Sequence, residues 1–334
     1  MHTVTVIMPV YNNMPYLRYA INSVIKQSFK NWKMIISDDK SNDKSIEYLK
    51  TIKHKKIKIY YQKKNLGIFG NLNFLNLKVK TSIVKILCAD DKLNINNLED
   101  TILFMNKFKS CKLLTCFDQN YKFVSTKDRP SYTFKYHNRF GNKYYIKFSP
   151  KSSMIALLVF GNIPGNLSQI TYKKIHNNNP IFNQRYPYAG DYNAWSRMAK
   201  IYGFYLIKKN LVYIRNHPKR ASYSLNKYMD LFPQLSKIYT FLIKNINKKH
   251  HKYLIKYILI ENLPSRLSRF VSCLISGKFG LANKVFANLP FKIPILQFIF
   301  YCISYKFKKK TLDNYYGNYI INIIKNYNMA TKCK

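Results

Sequence analysis

At 334 residues, 47% hydrophobic and 16% aromatic, the chain has the length and apolar content for a substantial core, which excludes a disordered polycation. Its 57 Lys+Arg against 14 Asp+Glu give a formal net charge of +43, a field that nucleic acid, an anionic membrane surface or phosphate-bearing substrates would answer. Part of that excess is a compositional bias toward Lys, Asn, Ile and Tyr of the kind an AT-rich genome produces. The six cysteines, Cys88, Cys111, Cys116, Cys273, Cys302 and Cys333, have no CxxC spacing and suit reduced thiols better than a disulfide framework or a zinc site. No apolar run reaches the ~20 residues of a spanning helix.

In chain order, Val4 to Pro9 reads as a first strand and not as a signal peptide. Asn12-Asn13 offers a helix cap before Pro15, and Leu17, Ile21, Val24 and Ile25 follow at helical spacing. Lys33 to Ser37 is a second strand that ends at Asp38-Asp39, and Ser41-Asn42-Asp43 opens a second helix through Ile46 and Leu49. Ile57 to Tyr61 is a third strand, Asn65-Leu66-Gly67 a turn, and Phe69, Leu72 and Asn73 lie on a third helix. Ile83 to Ala89 is an apolar strand that breaks off at Asp90-Asp91. The alternation predicts an α/β fold with a mostly parallel sheet and right-handed crossovers.

Two strands that finish in paired acids, in a chain so poor in acids, point to one ligand site at the carboxyl rim of that sheet, built for a divalent metal, a ribose, or both. No GxGxxG follows the first strand and no GxxxxGK[ST] occurs, so dinucleotide-binding and P-loop readings lose their main support. Phosphates would then be held by a metal and basic side chains.

Pro9-Val10-Tyr11-Asn12, the strand ending Ser37-Asp38-Asp39, Asn65-x-Gly67, Asn73, the strand into Asp90-Asp91, and further on Gly190-Asp191-Tyr192-Asn193-Ala194-Trp195 resemble, in order and spacing, the family 2 glycosyltransferases of the GT-A fold, of the type that builds bacterial surface glycans. The resemblance covers residues 3 to about 220. Three positions depart from the family pattern: Lys40 stands where a glycine is usual, Cys88 where the first acid of the metal motif is often found, and Leu72 where an arginine is frequent. The resemblance implies a Rossmann-like central sheet flanked by helices in residues 1–224, with a nucleotide-binding half over about 1–118 and an acceptor half over about 119–224. A helical C-terminal region, basic and rich in aromatics, fills 225–334.

It also implies roles. Asp39 accepts a hydrogen bond from the base, Pro9, Val10 and Tyr11 line the nucleobase pocket, and Asn65, Gly67 and Asn73 contact the nucleotide-sugar. Asp91 binds a divalent ion, Mn2+ or Mg2+, and Asp90 the ribose or donor sugar; oxygen ligands suit such hard cations. His217 is a second candidate metal ligand or diphosphate contact, and Asp191, at the start of a helix, is the general base of a single inverting displacement. Arg220 and Ser222 are candidate phosphate contacts.

Past Leu225, Tyr228 to Phe241, His250 to Leu263 and Pro264 to Ile275 look helical. Phe291 to Tyr301 followed by Lys306-Phe307-Lys308-Lys309-Lys310 has the composition of an interfacial membrane segment, and equally of an ordinary packed subdomain. The resulting expectation is a metal-dependent transferase that moves a sugar from a nucleotide-diphosphate sugar, UDP-linked by preference, to a glycan or lipid-linked acceptor in surface polysaccharide or lipopolysaccharide synthesis. It would act in the cytoplasm, peripheral on the inner face of the membrane and without a nucleic-acid partner. A nucleic-acid-binding protein leaves the two acid pairs unexplained, since carboxylates repel phosphate. A metal-dependent nucleotidyltransferase would need an early Gly-rich basic loop, which the sequence lacks.

Overall fold

The first strand is apolar at every position but Thr5 because both of its faces and both of its edges are covered. In the computed structural model, which describes residues 3–121, 140, 143–175, 180–215, 217, 225–251, 253–254 and 319–328, β1 (Val4–Val10) is buried at every position. It pairs in parallel with β2 (Trp32–Asp38) on one side and β4 (Ile83–Ile86) on the other. The helices α1 (Met14–Ile25), α2 (Ser45–Thr51) and α3 (Gly67–Lys78) make the crossovers, and β3 (Ile57–Tyr61) extends the sheet beyond β2. Leu17, Ala20, Ile21 and Val24 form the buried stripe of α1, whereas Ile25, expected on that face, is 36% exposed.

The carboxyl half continues the same sheet and mixes directions. It comprises β5 (Lys92–Leu93), α4 (Asn97–Lys107), β6 (Leu113–Tyr121), β7 (Tyr145–Phe148), α5 (Pro150–Phe160), β8 (Thr171–Lys173), α6 (Gly190–Tyr202), β9 (Phe204–Arg215) and α7 (Leu225–Lys244). Among the described residues the strand order is β3-β2-β1-β4-β8-β6-β9-β5, with β7 paired to β9. β8 runs antiparallel to both β4 and β6, and β5 antiparallel to β9. The short return through β5 brings the residues just after β4 beside the end of β9, with Lys92 opposite Tyr213.

Chain contacts gather into two units, residues 1–147 with 164–220, and 148–163 with 221–334. Residues 148–163 thus group with the C-terminal stretch and not with the segments that flank them in sequence. Ser152 to Val159 of α5 are buried without interruption, and a helix apolar all round needs cover on every side. Within that unit α5 packs on α7. The Asn328 carboxamide oxygen accepts from Ser149 N at 3.0 Å and from Ser152 Oγ at 2.7 Å. Pro264 to Ile275, Phe291 to Tyr301, Lys306 to Lys310, Arg220 and Ser222 lie outside the described residues. Among the described residues no helix is long and apolar enough to cross a membrane.

One buried amide ties three elements of the first unit together. Gln27, fully buried, donates from Nε2 to the carbonyls of Ser23 (2.9 Å) and Asn94 (2.7 Å) and accepts from Leu98 N at Oε1 (2.9 Å), joining the end of α1 to β5 and α4. Gln27→Leu leaves a buried N–H and a buried carbonyl without partners. The expected loss is roughly 2–4 kcal/mol, read from the midpoint of urea unfolding.

Candidate functional site

Parallel strands of one sheet end at the same rim, so the loops after β1, β2 and β4 are neighbours by construction. The first two are laced together. Asp38, fully buried, accepts from Ser41 N (2.9 Å) and Ser41 Oγ (2.6 Å), while Ser41 Oγ in turn accepts from Asn12 N (2.9 Å). Asn42 N donates to Asn12 Oδ1 at 2.9 Å. The expected Asn13 cap is absent, because that side chain accepts from Tyr11 N instead. Asp43 takes its place from across the seam, accepting from Met14 N at 3.0 Å and from Ser45 N at 2.9 Å. Lys40 reaches its turn at φ 64°, the left-handed conformation a glycine would adopt more easily.

Asp39 follows directly. Its N–H donates to Val10 O (2.8 Å), and its Oδ1 accepts from Leu66 N (2.7 Å) in the Asn65-Leu66-Gly67 turn that starts α3. Gly67 N donates to Asn65 Oδ1 at 2.9 Å, with Gly67 at φ 71°. Burial raises the Asp39 carboxyl above its ordinary value, the Leu66 and Gly67 N–H groups work against that rise, and the neighbouring Asp38 charge adds to it. Pro9 and Val10 are buried beside it and Tyr11 is 48% exposed. Asn73 faces elsewhere: its Nδ2 donates to Phe182 O (2.7 Å) and its Oδ1 accepts from Phe182 N (3.0 Å), so both ends of the amide hold backbone.

The second acid pair sits past the end of β4, in a turn closed by Asp91 N to Cys88 O at 3.1 Å. The strand stops at Ile86, four residues short of Asp90, where the apolar run alone predicts strand up to the acids. The two acids sit in different surroundings. Asp91 is 5% exposed, accepting Ser168 Oγ at 2.5 Å on Oδ2 and Arg215 N at 3.0 Å on Oδ1. Ser168 Oγ also accepts from Cys88 N at 2.9 Å, which locks the turn. Asp90 is the more open of the two, and its Oδ2 lies 3.1 Å from His217 Nε2. Arg215 Nε donates to Asp90 O at 3.0 Å, and its guanidinium lies 4.6 Å from the centre of the Tyr16 ring, which also meets His217 at 4.7 Å.

Cys88, Asp90 and Asp91 offer ligand atoms within 4.8 Å of one another, and His217 adds an imidazole nitrogen beside Asp90. The carboxylate donors fit Mn2+ or Mg2+, with the His217 imidazole and the Cys88 thiol as softer neighbours. Behind them Lys85, in the middle of β4, is completely buried. Burial pushes its ammonium down to about 8, against the opposing pull of Cys116, Asp91 and Cys88.

Asp191 lies in the first turn of α6, a helix whose Tyr192, Trp195 and Ala199 are buried. Its Oδ1 accepts from its neighbour Tyr192 N at 2.7 Å. Gly190 before it abuts the Phe69 ring of α3 so closely that a Cβ there would fall 2.5 Å from Cε2. Sequence reading missed Ser168, Tyr16, Lys85 and the structural part of Arg215. Only Arg215 carried a signal, two residues before His217 at the end of an apolar strand.

Residues 5–160 match the model of glycosyl transferase family 2. That match spans a little under half of the chain. An uncharacterized glycosyltransferase of Rickettsia typhi is 26% identical over 247 residues, which are 74% of this chain and 73% of the relative. The putative teichuronic acid biosynthesis glycosyltransferase TuaG of Bacillus subtilis is 33% identical over 110 residues, 32% of this chain and 43% of TuaG. An uncharacterized glycosyltransferase of Rickettsia bellii matches over 67% of this chain but 31% of its own length. Among solved structures, the S. aureus TarS fragment 1–349 in complex with UDP-GlcNAc superposes with a TM-score of 0.57 at 18% identity, over 77% of this chain and 71% of that one. The mostly parallel α/β fold expected from the motifs is thus the one this chain shares with TarS.

The Lys85 environment makes a measurable demand on stability. Between about pH 8 and 10.5 the unfolded chain holds a proton at this lysine that the folded chain has released, so the site opposes folding at neutral pH and opposes it less as pH rises through that window. Lys85→Met should be more stable than the parent at pH 7 by on the order of 1–3 kcal/mol, with the gap closing toward pH 10.5 in urea titrations.

Proposed function

We propose that this glycosyltransferase moves a sugar from a UDP-sugar to a glycan or lipid-linked acceptor in surface-polysaccharide synthesis, with Asp90 and His217 facing a divalent ion and Asp191 acting as general base. The observation that carries the metal assignment is the division of labour between the adjacent acids. Asp91 is buried with hydrogen bonds on both oxygens, while the Asp90 side chain keeps 19% of its surface exposed and is paired with an imidazole. The donor class is supported by the TarS complex with UDP-GlcNAc, and the acceptor class by the name of TuaG.

In this reading Tyr11 offers a stacking face to the uracil, and the Asp39 carboxylate, held by Leu66 N, accepts the base N–H. A bound divalent ion would act as Lewis acid toward the departing diphosphate. Asp91 fixes the turn that aims Asp90, and Arg215, stacked on Tyr16, holds that turn by the Asp90 carbonyl. Asp191, at the positive end of α6, removes the proton from the acceptor hydroxyl as its oxygen attacks the anomeric carbon, inverting the configuration. The charge of +43 supports a peripheral position on an anionic membrane at its cytoplasmic face, where a lipid-linked acceptor would lie.

The assignments separate experimentally. A thermal-shift screen of UDP-sugars with and without Mn2+ should show stabilisation by at least one of them, enhanced by the ion. Asp90→Asn should weaken Mn2+-dependent UDP binding by about tenfold or more. Asp191→Asn should keep UDP binding within about twofold and lose transfer by about 10²–10⁴-fold. Wild-type transfer rates in Asp191→Asn would remove the base assignment.

A further inference from the structure

The first turn of α3 touches two parts of the site that the reaction must keep in register. At its start, Leu66 N holds the Asp39 carboxylate at 2.7 Å. Three residues on, the Phe69 ring, 7% exposed, lies against Gly190, next to Asp191. A Cβ at Gly190 would meet Phe69 Cε2, Cδ2 and Cζ at 2.5, 2.6 and 2.8 Å, distances no real Cβ tolerates. Gly190 is not among the residues with positive φ, so the glycine is required for space alone.

The ring itself has little room to yield. Phe69 stacks on Phe182 (5.4 Å between centres, 22° between planes), and Phe182, fully buried, meets Trp195 of α6 edge-on at 5.5 Å. Asn73, one turn further along α3, grips the Phe182 backbone at both its N–H and its carbonyl. A single helical turn thus bears on the residue read as the base-recognising acid and on the start of the helix that carries the residue read as the catalytic base.

We propose that the Phe69–Gly190 contact is a positioning device: it sets where Asp191 stands relative to a donor anchored at Asp39, so that Phe69 governs turnover without touching substrate. This rests on the reading of Asp191 as general base. A methyl group at position 190 would have to push α6 and α3 apart, and misplacing a catalytic group by about 1 Å can cost on the order of a hundredfold.

The test is a cycle of four full-length variants, Gly190→Ala, Phe69→Ala, the double variant Gly190→Ala/Phe69→Ala, and Asp191→Asn. UDP release from UDP-GlcNAc in Mn2+ is followed, or from the best UDP-sugar of the thermal-shift screen, together with UDP binding by calorimetry. Gly190→Ala should lower kcat at least tenfold, with KM for the UDP-sugar and the Kd for UDP within about twofold of the parent. Phe69→Ala alone should lower kcat less than Gly190→Ala does, by about threefold, and removing the ring in the double variant should bring kcat back to that level. A merely structural glycine would lower binding and turnover together, and a double variant that stays as slow as Gly190→Ala overturns the proposal. If Gly190→Ala is insoluble, Phe69→Leu decides, with a severalfold fall in kcat at unchanged UDP affinity expected and parental kcat overturning the proposal. Loss of turnover in Asp191→Asn beside parental kcat in Gly190→Ala sinks this inference alone. Parental turnover in Asp191→Asn sinks the base assignment, and this inference with it.

Discussion

A buried carboxylate needs donors on every side, and Asp91 draws its two from distant parts of the chain, the Ser168 hydroxyl and the backbone N–H of Arg215. Burying an ion without partners costs several kcal/mol, so the turn after β4, the short helical turn at 167–169 and the end of β9 are obliged to meet at this point. That meeting fixes Cys88 through Ser168, sets Asp90 in the open, and delivers His217 beside it. The antiparallel β5–β9 pair sets Lys92 opposite Tyr213, and so brings the end of β9 beside Asp91.

The lysine excess has a structural share as well as a field. Lys56 lies 5.2 Å from the centre of the Trp32 ring, Lys58 and Lys78 approach Tyr60, and Lys147 covers Tyr205. Long apolar stems spread over aromatic faces keep the ammonium in water while removing ring surface from it, so abundance of one residue type and abundance of the other support each other. Lys85 is the exception, a cation placed in the interior of the sheet, where the Asp91 carboxylate partly offsets its burial.

What could be read from the sequence was what period and punctuation encode. Strand β3 appears at Ile57–Tyr61 as expected, the acids stand at the rim, and Gly190-Asp191 opens α6. What could not be read depended on partners far away in the chain. The run Ile83 to Ala89 gives no hint that the ladder stops at Ile86, because an apolar turn and an apolar strand look alike when both are buried. Adjacent aspartates are indistinguishable until Ser168 and Arg215 select one of them for burial. Asn13 had the right type and place for a cap, and lost the role to Asp43, which the neighbouring loop brings closer. The apolar stretch in α5 carries no mark of which unit it will join.

The turn between β2 and α2 holds Lys40 at φ 64°, a conformation that costs an ordinary side chain about 1 kcal/mol relative to glycine. Asp38 and Ser41 clamp the backbone on either side of it, so the lock of that loop absorbs the strain. The return is an exposed ammonium beside the carboxyl rim of the sheet, where glycine would leave bare backbone. A loop already rigid enough to carry the misfit can therefore turn a conformational necessity into an electrostatic contribution.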